Sequence, residues 1–202
     1  MTYLKISKDK VPPAIIQSIV GSLKSGRVII LPTDTIYGFS CLATSEAAIK
    51  KINRLKKRTL KKPLSVLVSD MAMLKKYVFV SAAQAKFLRS TWRQDKRPTT
   101  FILRHRGNLP AVLTACSNGL ALRLPKSKFL TKIIKSVAVP IVSTSLNLAG
   151  QAPISDLRDL VRHFPLKSKQ VDLVIDAGRA RSRKPSRLLD LRGESGPLIL
   201  RK

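Results

Sequence analysis

Apolar residues recur at helical spacing at Ile15, Ile16, Ile19, Val20 and Leu23, behind Pro12-Pro13 and ahead of Gly26, which predicts a helix closed by a glycine. Arg27 to Leu31 is then a short continuous apolar run stopped by Pro32, the pattern of a buried strand. Ala48, Ile49, Ile52 and Leu55 form a second helical stripe. It is opened by Ser45-Glu46 and turns basic toward its C-terminal end, where the peptide dipole favours cations. Leu64 to Val68 reads as the next strand. Further helices are expected over Met71 to Tyr77, Ala82 to Thr91 and around Phe129 to Val137. Further strands are expected over Thr99 to Leu103, Leu120 to Leu124, Pro140 to Thr144 and Asp172 to Asp176. Ser155 to Val161 has the pattern of a capped helix. Helices and strands alternate irregularly, so the fold class expected is α/β (α+β): a twisted mixed β-sheet with flanking helices.

No boundary interrupts this pattern. The 12 prolines are spread along the 202 residues, and neither a Gly/Ser linker nor a fixed-period repeat is visible, so residues 1–202 are expected to form one domain. A start as polar as Met1-Thr2-Tyr3-Leu4-Lys5-Ile6 is not a signal-peptide core, and the apolar runs are too short to span a bilayer, so a cytoplasmic protein is expected. Cys41 and Cys116 lack a CxxC partner, which argues against a zinc site or a disulfide framework and for two small buried hydrophobes.

Charge changes the picture more. With 39 Lys+Arg against 11 Asp+Glu the formal net charge is +28, a surplus that favours polyanions such as nucleotides, RNA or an acidic membrane, or else belongs to a solvated basic surface.

Four clusters carry the candidate chemistry. Pro32-Thr33-Asp34-Thr35-Ile36-Tyr37-Gly38 follows the first strand, where α/β sheets commonly build sites; it could be a plain turn, but its hydroxyls and carboxylate suit a small amino acid. Between Glu46 and Asp70 every charged residue is basic, and Lys56 and Arg58 stand where helix gives way to strand. Turned inward they form a cation pair for phosphates; turned outward they belong to a solvated face. Ser143-Thr144-Ser145-Leu146-Asn147-Leu148-Ala149-Gly150 ends another strand in neutral donors suited to phosphate or ribose. The last is Arg183-Lys184-Pro185-Ser186-Arg187, followed by two apolar runs that end at Arg201. Neither GxxxxGK[ST] nor GxGxxG occurs, and His105 and His163 lie near no nucleophile pattern. What remains is chemistry by positioning and charge stabilisation.

Taken in order, the clusters resemble the YrdC-like family of threonylcarbamoyl-AMP synthases. Thr33 to Gly38 is similar to its PTDTxYG, Lys56-Lys57-Arg58 to its KxR, and Pro63-Leu64 to the PL that follows. Leu120 to Pro125 resembles VAVRxP, Ser145-Leu146-Asn147 resembles SxN, and Pro185-Ser186 resembles PST. The sequence departs from the pattern at Lys62, Leu67, Gly119, Arg187, Ala149 and Trp92.

The resemblance implies a nucleotidyltransferase with a concave basic cavity. It would join L-threonine, bicarbonate and ATP, with Mg2+ carried in by ATP and no metal held by the protein, for threonylcarbamoyladenosine in tRNA. By position, Thr35, Arg123, Ser145 and Ser186 would hold threonine. Lys56, Arg58, Lys62, Asn147 and Arg201 would hold ATP, Lys56 and Arg58 also serving catalysis. Other tRNA-modification proteins would take over the product, and the basic surface could contact tRNA. The chain ends just after Arg201, so the short form of the family, without a further C-terminal domain, is expected. Two other readings stay open: a non-catalytic RNA-binding module, for which stacking aromatics are few, at 5% of residues, and a paralogue with a different acceptor.

Overall fold

A computed structural model describes residues 2–7, 11–164, 170–180, 185–193 and 196–201. The strands are β1 (Thr2–Lys5), β2 (Ile29–Leu31), β3 (Gly38–Leu42), β4 (Ser65–Leu67), β5 (Thr99–Arg104), β6 (Gly119–Arg123), β7 (Ile141–Ser145), β8 (Leu173–Asp176), β9 (Arg187–Asp190) and β10 (Leu198–Arg201). The helices are α1 (Pro13–Lys24), α2 (Glu46–Leu55), α3 (Met71–Tyr77), α4 (Ala82–Gln94), α5 (Ala111–Thr114), α6 (Lys128–Val137) and α7 (Leu160–His163). The ten strands among the described residues join one sheet in the order β1-β8-β2-β3-β7-β4-β6-β5-β9-β10. It is mixed: β4 and β6 run parallel, as do β5 and β9, while β7 is antiparallel to both β3 and β4.

Local chemistry explains the helix starts. Pro13 occupies the first turn of α1, where a missing N–H costs nothing. Ser45 caps α2 by accepting the Ala48 N–H, and Ser81 and Gln84 form a reciprocal capping box on α4. Each helix then buries its apolar stripe: Ile16, Ile19 and Leu23 on α1, Ile49, Ile52 and Leu55 on α2, Leu130, Ile133, Ile134 and Val137 on α6. Full burial of one such side chain stabilises by roughly 1.5–3 kcal/mol.

The structure adds strands that periodicity did not predict. β3 follows the polar Thr33–Tyr37 loop directly, and only its antiparallel pairing with β2 and β7 makes it a strand. β1, β9 and β10 are four-residue strands fixed by pairing with distant partners. Where one capped helix was expected from Ser155, the chain first makes a 3-10 turn over Leu157–Asp159 and becomes α-helical only at Leu160. The Asp156 carboxylate accepts the Arg158 N–H only two residues on, which tightens that turn. Cys41 is buried, and burial pushes its thiol up to about 12, whereas Cys116 is exposed, on a left-handed turn after α5.

Candidate functional site

Strand alternation builds the site. Leu120 and Leu122 of β6 enter the core while Ala121 and Arg123 line a cavity on the opposite face. The same parity sends Phe101, Val142 and Leu189 inward, and Thr100, Ser143, Ser145 and Leu188 to the cavity. The volume is about 290 Å³. Among the described residues the lining includes Arg58, Arg123 and Arg201, a series of hydroxyls and no carboxylate, so the surface is cationic and rich in neutral donors.

The loop from Thr33 to Tyr37 supplies one wall. Thr33 Oγ1 accepts the N–H of Thr35 (3.0 Å) and of Ile36 (3.1 Å), and lies 2.8 Å from Thr35 Oγ1, so the Thr35 hydroxyl is held in place. Tyr37 acts as a strut: its hydroxyl donates to Gly178 O at 2.6 Å and accepts the Ala177 N–H at 2.9 Å. Burial pushes that phenol up to about 12. Gly38 starts β3 directly against β7; a Cβ there would meet Thr144 O at 2.9 Å, so only glycine allows this approach beneath the cavity.

Arg123 differs in one respect from expectation. It was expected to hold threonine, and in the folded chain its Nη1 already donates to the Asp34 carboxylate, which also accepts the Lys126 N–H at 3.0 Å. Asp34 therefore positions the guanidinium, and Arg123 still lines the cavity.

Lys56 and Arg58 part ways. Arg58 lines the cavity, its Nη2 donating to Pro63 O at 2.7 Å and its buried Nε without a bond, and burial lowers its guanidinium from the ordinary value. Lys56 is not among the lining residues. It is 2% exposed, and its ammonium donates to Ser145 O, to Asn147 O (2.8 Å) and to Asn147 Oδ1 (2.9 Å). Burial first, and Arg58 second, push it down to about 7. Asn147 likewise spends its side-chain Nδ2 on Leu148 O (2.9 Å) and Gln151 O (2.7 Å). Lys62 is exposed and outside the lining.

On the far wall Ser186 Oγ lies 2.8 Å from Thr100 Oγ1, and Arg201 Nε donates to Ser186 O at 2.9 Å, tying β10 to the start of β9. Thr35, Arg58, Arg123, Ser145, Ser186 and Arg201 thus share one cavity, while Lys56, Lys62 and Asn147 do not reach its surface. Arg183 and Lys184 fall outside the described residues. Thr100 and Ser65 also line the cavity without having been singled out; the available signal was a polar residue at the cavity parity of an apolar strand, as with Arg123. Among the described residues no three His, Cys, Asp or Glu side chains converge on a metal-sized point, and no helix is long and apolar enough to cross a membrane.

Residues 21–202 match the Sua5/YciO/YrdC family model, described as "Telomere recombination". A threonylcarbamoyl-AMP synthase of Klebsiella pneumoniae is 28% identical over 190 residues, spanning 92% of this chain and 96% of that one. The structure of E. coli YciO superposes with a TM-score of 0.86 at 25% identity, over all of this chain and 96% of that one. P. abyssi Sua5 complexed with L-threonine gives a TM-score of 0.88 at 24% identity. There the match covers all of this chain and 57% of that one, so the chain spans little more than half of the longer protein.

Proposed function

Because the chain belongs to the Sua5/YciO/YrdC family, we propose that it is a threonylcarbamoyl-AMP synthase, a nucleotidyltransferase acting on L-threonine, bicarbonate and ATP. The observation that carries this reading is the cavity whose lining, among the described residues, has three arginines, many hydroxyls and no carboxylate. Such a surface accepts a carboxylate and a phosphate together, and repels neither. At about 290 Å³ it lies near the lower end of the ~300–1,000 Å³ usual for small-molecule sites. That is room for threonine and the α-phosphate, with the rest of ATP toward the mouth.

In the reaction the threonine amine adds to carbon dioxide derived from bicarbonate, its N–C bond forming as a proton leaves to solvent. A carbamate oxygen then attacks the α-phosphorus of ATP, the bond from that phosphorus to the bridging oxygen breaks, and pyrophosphate departs. Arg123, held by Asp34, receives the threonine carboxylate, with Thr35, Ser145 and Ser186 around the amine and hydroxyl. Arg58 and Arg201, which line the cavity, face the phosphates and would stabilise charge developing on them. Magnesium enters as part of the ATP substrate; Asp34, the carboxylate paired with Arg123, is already bonded to Arg123 and Lys126. The mixed anhydride would pass to tRNA-modification proteins that transfer it to adenosine.

The test is incubation with ATP, bicarbonate and labelled threonine. The expected outcome is a labelled adenylate with pyrophosphate released only when threonine, bicarbonate and protein are all present. Pyrophosphate release that ignores threonine would instead support a relative with a different acceptor.

A further inference from the structure

Most of the large apolar side chains that the described residues leave exposed gather in one region. Phe79, Phe87, Leu198, Ile199 and Leu200 belong to the segment before α4, to α4 itself and to β10, whereas Tyr3 and Leu60 lie elsewhere. Phe79 is 54% exposed and Ile199 51%. Phe79 and Phe87, with Leu191 and Pro197, line a groove of about 890 Å³ between the start of α4 and the turn from β9 to β10. The apolar surface continues past Phe87 and Pro197 to Leu189 and Ile199. Gln84 Nε2 donates to Leu191 O at 2.8 Å, which ties α4 to the chain after β9 and holds the groove in shape. Apolar side chains scattered singly need no partner, but a contiguous patch marks a surface that another molecule covers.

The groove shares no lining residue with the cavity. Strand alternation separates the two: Leu188 of β9 lines the cavity, and its neighbour Leu189 lines the continuation of the groove on the other face of the sheet. The rim of the groove is cationic. Arg104 and Arg106 line it, and neither has a carboxylate partner among the described residues. Arg192, also at the rim, is already paired with Asp190. Arg106 is held in position: its Nε donates to Lys75 O (3.0 Å) and Val78 O (3.2 Å), and its guanidinium lies 4.2 Å from the Phe79 ring centroid. The described lining contains no carboxylate.

We propose that this groove is the docking site for a segment of a partner protein that carries apolar anchors flanked by carboxylates. The anchors cover Phe79, Phe87 and Ile199, and the carboxylates meet the guanidinium groups of Arg104 and Arg106. Two other occupants fit less well. A second copy of this chain would bring a formal charge of +28 to a rim that is already positive. A nucleic acid has the complementary charge but calls for flat aromatic platforms. Phe87 is instead engaged edge-on with Phe101 at 5.9 Å, Phe79 carries Arg106 over its ring, and Leu189, Leu191, Pro197 and Ile199 are aliphatic. An acidic segment with apolar anchors satisfies floor and rim together. Because the groove and the cavity are on opposite faces of the sheet, a docked partner leaves the cavity open, and the proposal is independent of what the cavity binds.

The test is a phage-displayed library of short random peptides selected on the full chain, with the Phe79→Ser protein as counter-selection. That variant keeps the net charge, so peptides it fails to bind depend on the groove and not on general attraction to a basic protein. The expected survivors combine Leu, Ile, Phe or Trp with Asp or Glu. A synthetic copy of the most enriched one, followed by fluorescence anisotropy, should bind the wild type and weaken about tenfold or more on both Phe79→Ser and Arg104→Glu, the scale of one contact that matters to an interface. Both side chains are exposed, so both variants should fold, and their threonine-dependent pyrophosphate release should match the wild type. The proposal is overturned by an absence of survivors, by survivors lacking either acidic or apolar residues, or by a peptide that binds both variants as tightly as the wild type. Wild-type dimers in sedimentation that Phe79→Ser abolishes would give the groove to a second copy, and an RNA oligonucleotide whose affinity falls about tenfold with Phe79→Ser would give it to nucleic acid; either overturns it too.

Discussion

Replacing Asp34 by alanine should destabilise the protein far more than a change to an exposed ion pair. Both side chains of the Arg123–Asp34 pair retain only 7% of their accessible surface, so water cannot take over when one partner is removed. Breaking a buried pair and leaving the other charge alone costs about 3–5 kcal/mol. For a chain of this size each kcal/mol moves the thermal midpoint by roughly 2–4 °C, so Asp34→Ala should melt about 6–20 °C lower. Lys50→Ala, which breaks the exposed pair with Glu46, should hardly move it. The decisive control is Asp34→Ala combined with Arg123→Met. With no charge left to strand, the double variant should recover much of the loss, because the penalty belongs to the unpaired guanidinium. Thermal and urea denaturation followed by circular dichroism measure all three. A double variant as unstable as Asp34→Ala, or an Asp34→Ala protein as stable as Lys50→Ala, would refute the argument.

Arg58→Ala should lower pyrophosphate release by about 10²–10³-fold with little change in the denaturation midpoint, the loss expected for one positioned donor to developing charge; near-normal turnover would return Arg58 to a structural role. The Lys56 ammonium, pushed down to about 7 from an ordinary lysine value of 10.5, gives a signed prediction. The unfolded chain binds the extra proton between those values, so wild-type stability relative to Lys56→Met should rise as pH climbs from about 7 toward 10.5 and fall as pH drops back through 7. Urea midpoints of both proteins at pH 6.5 and 9 would show it, and an unchanged difference would contradict the burial argument. Gly38→Ala should cost about 1–3 kcal/mol, because its Cβ would meet the Thr144 carbonyl oxygen, which the β3–β7 pairing holds in place; a midpoint equal to wild type would mean that the strands part easily.

Short-range pattern determined a good deal of this protein. The helices α1, α2, α4 and α6 follow from apolar spacing and from capping residues a few positions away, because helical hydrogen bonds close within four residues and every partner is visible locally. The strand ends rich in hydroxyls and arginine were legible for a similar reason: Arg123 interrupts an apolar run, and Thr33 to Tyr37 follows one. Tertiary structure decided the partners. Lys56 and Arg58 are two residues apart in the same basic stretch, and nothing local says that one turns to the Ser145 carbonyl, 89 residues away along the chain, while the other lines the cavity. Arg123 and Asp34 are likewise 89 residues apart. Strand β3 is a strand only because β2 and β7 flank it, and Thr100 meets Ser186 only because β5 and β9 run parallel in register. A buried charge must be satisfied by whatever group the fold brings within about 3 Å. The sequence therefore announces that such a charge needs a partner, and the packing of the sheet chooses which.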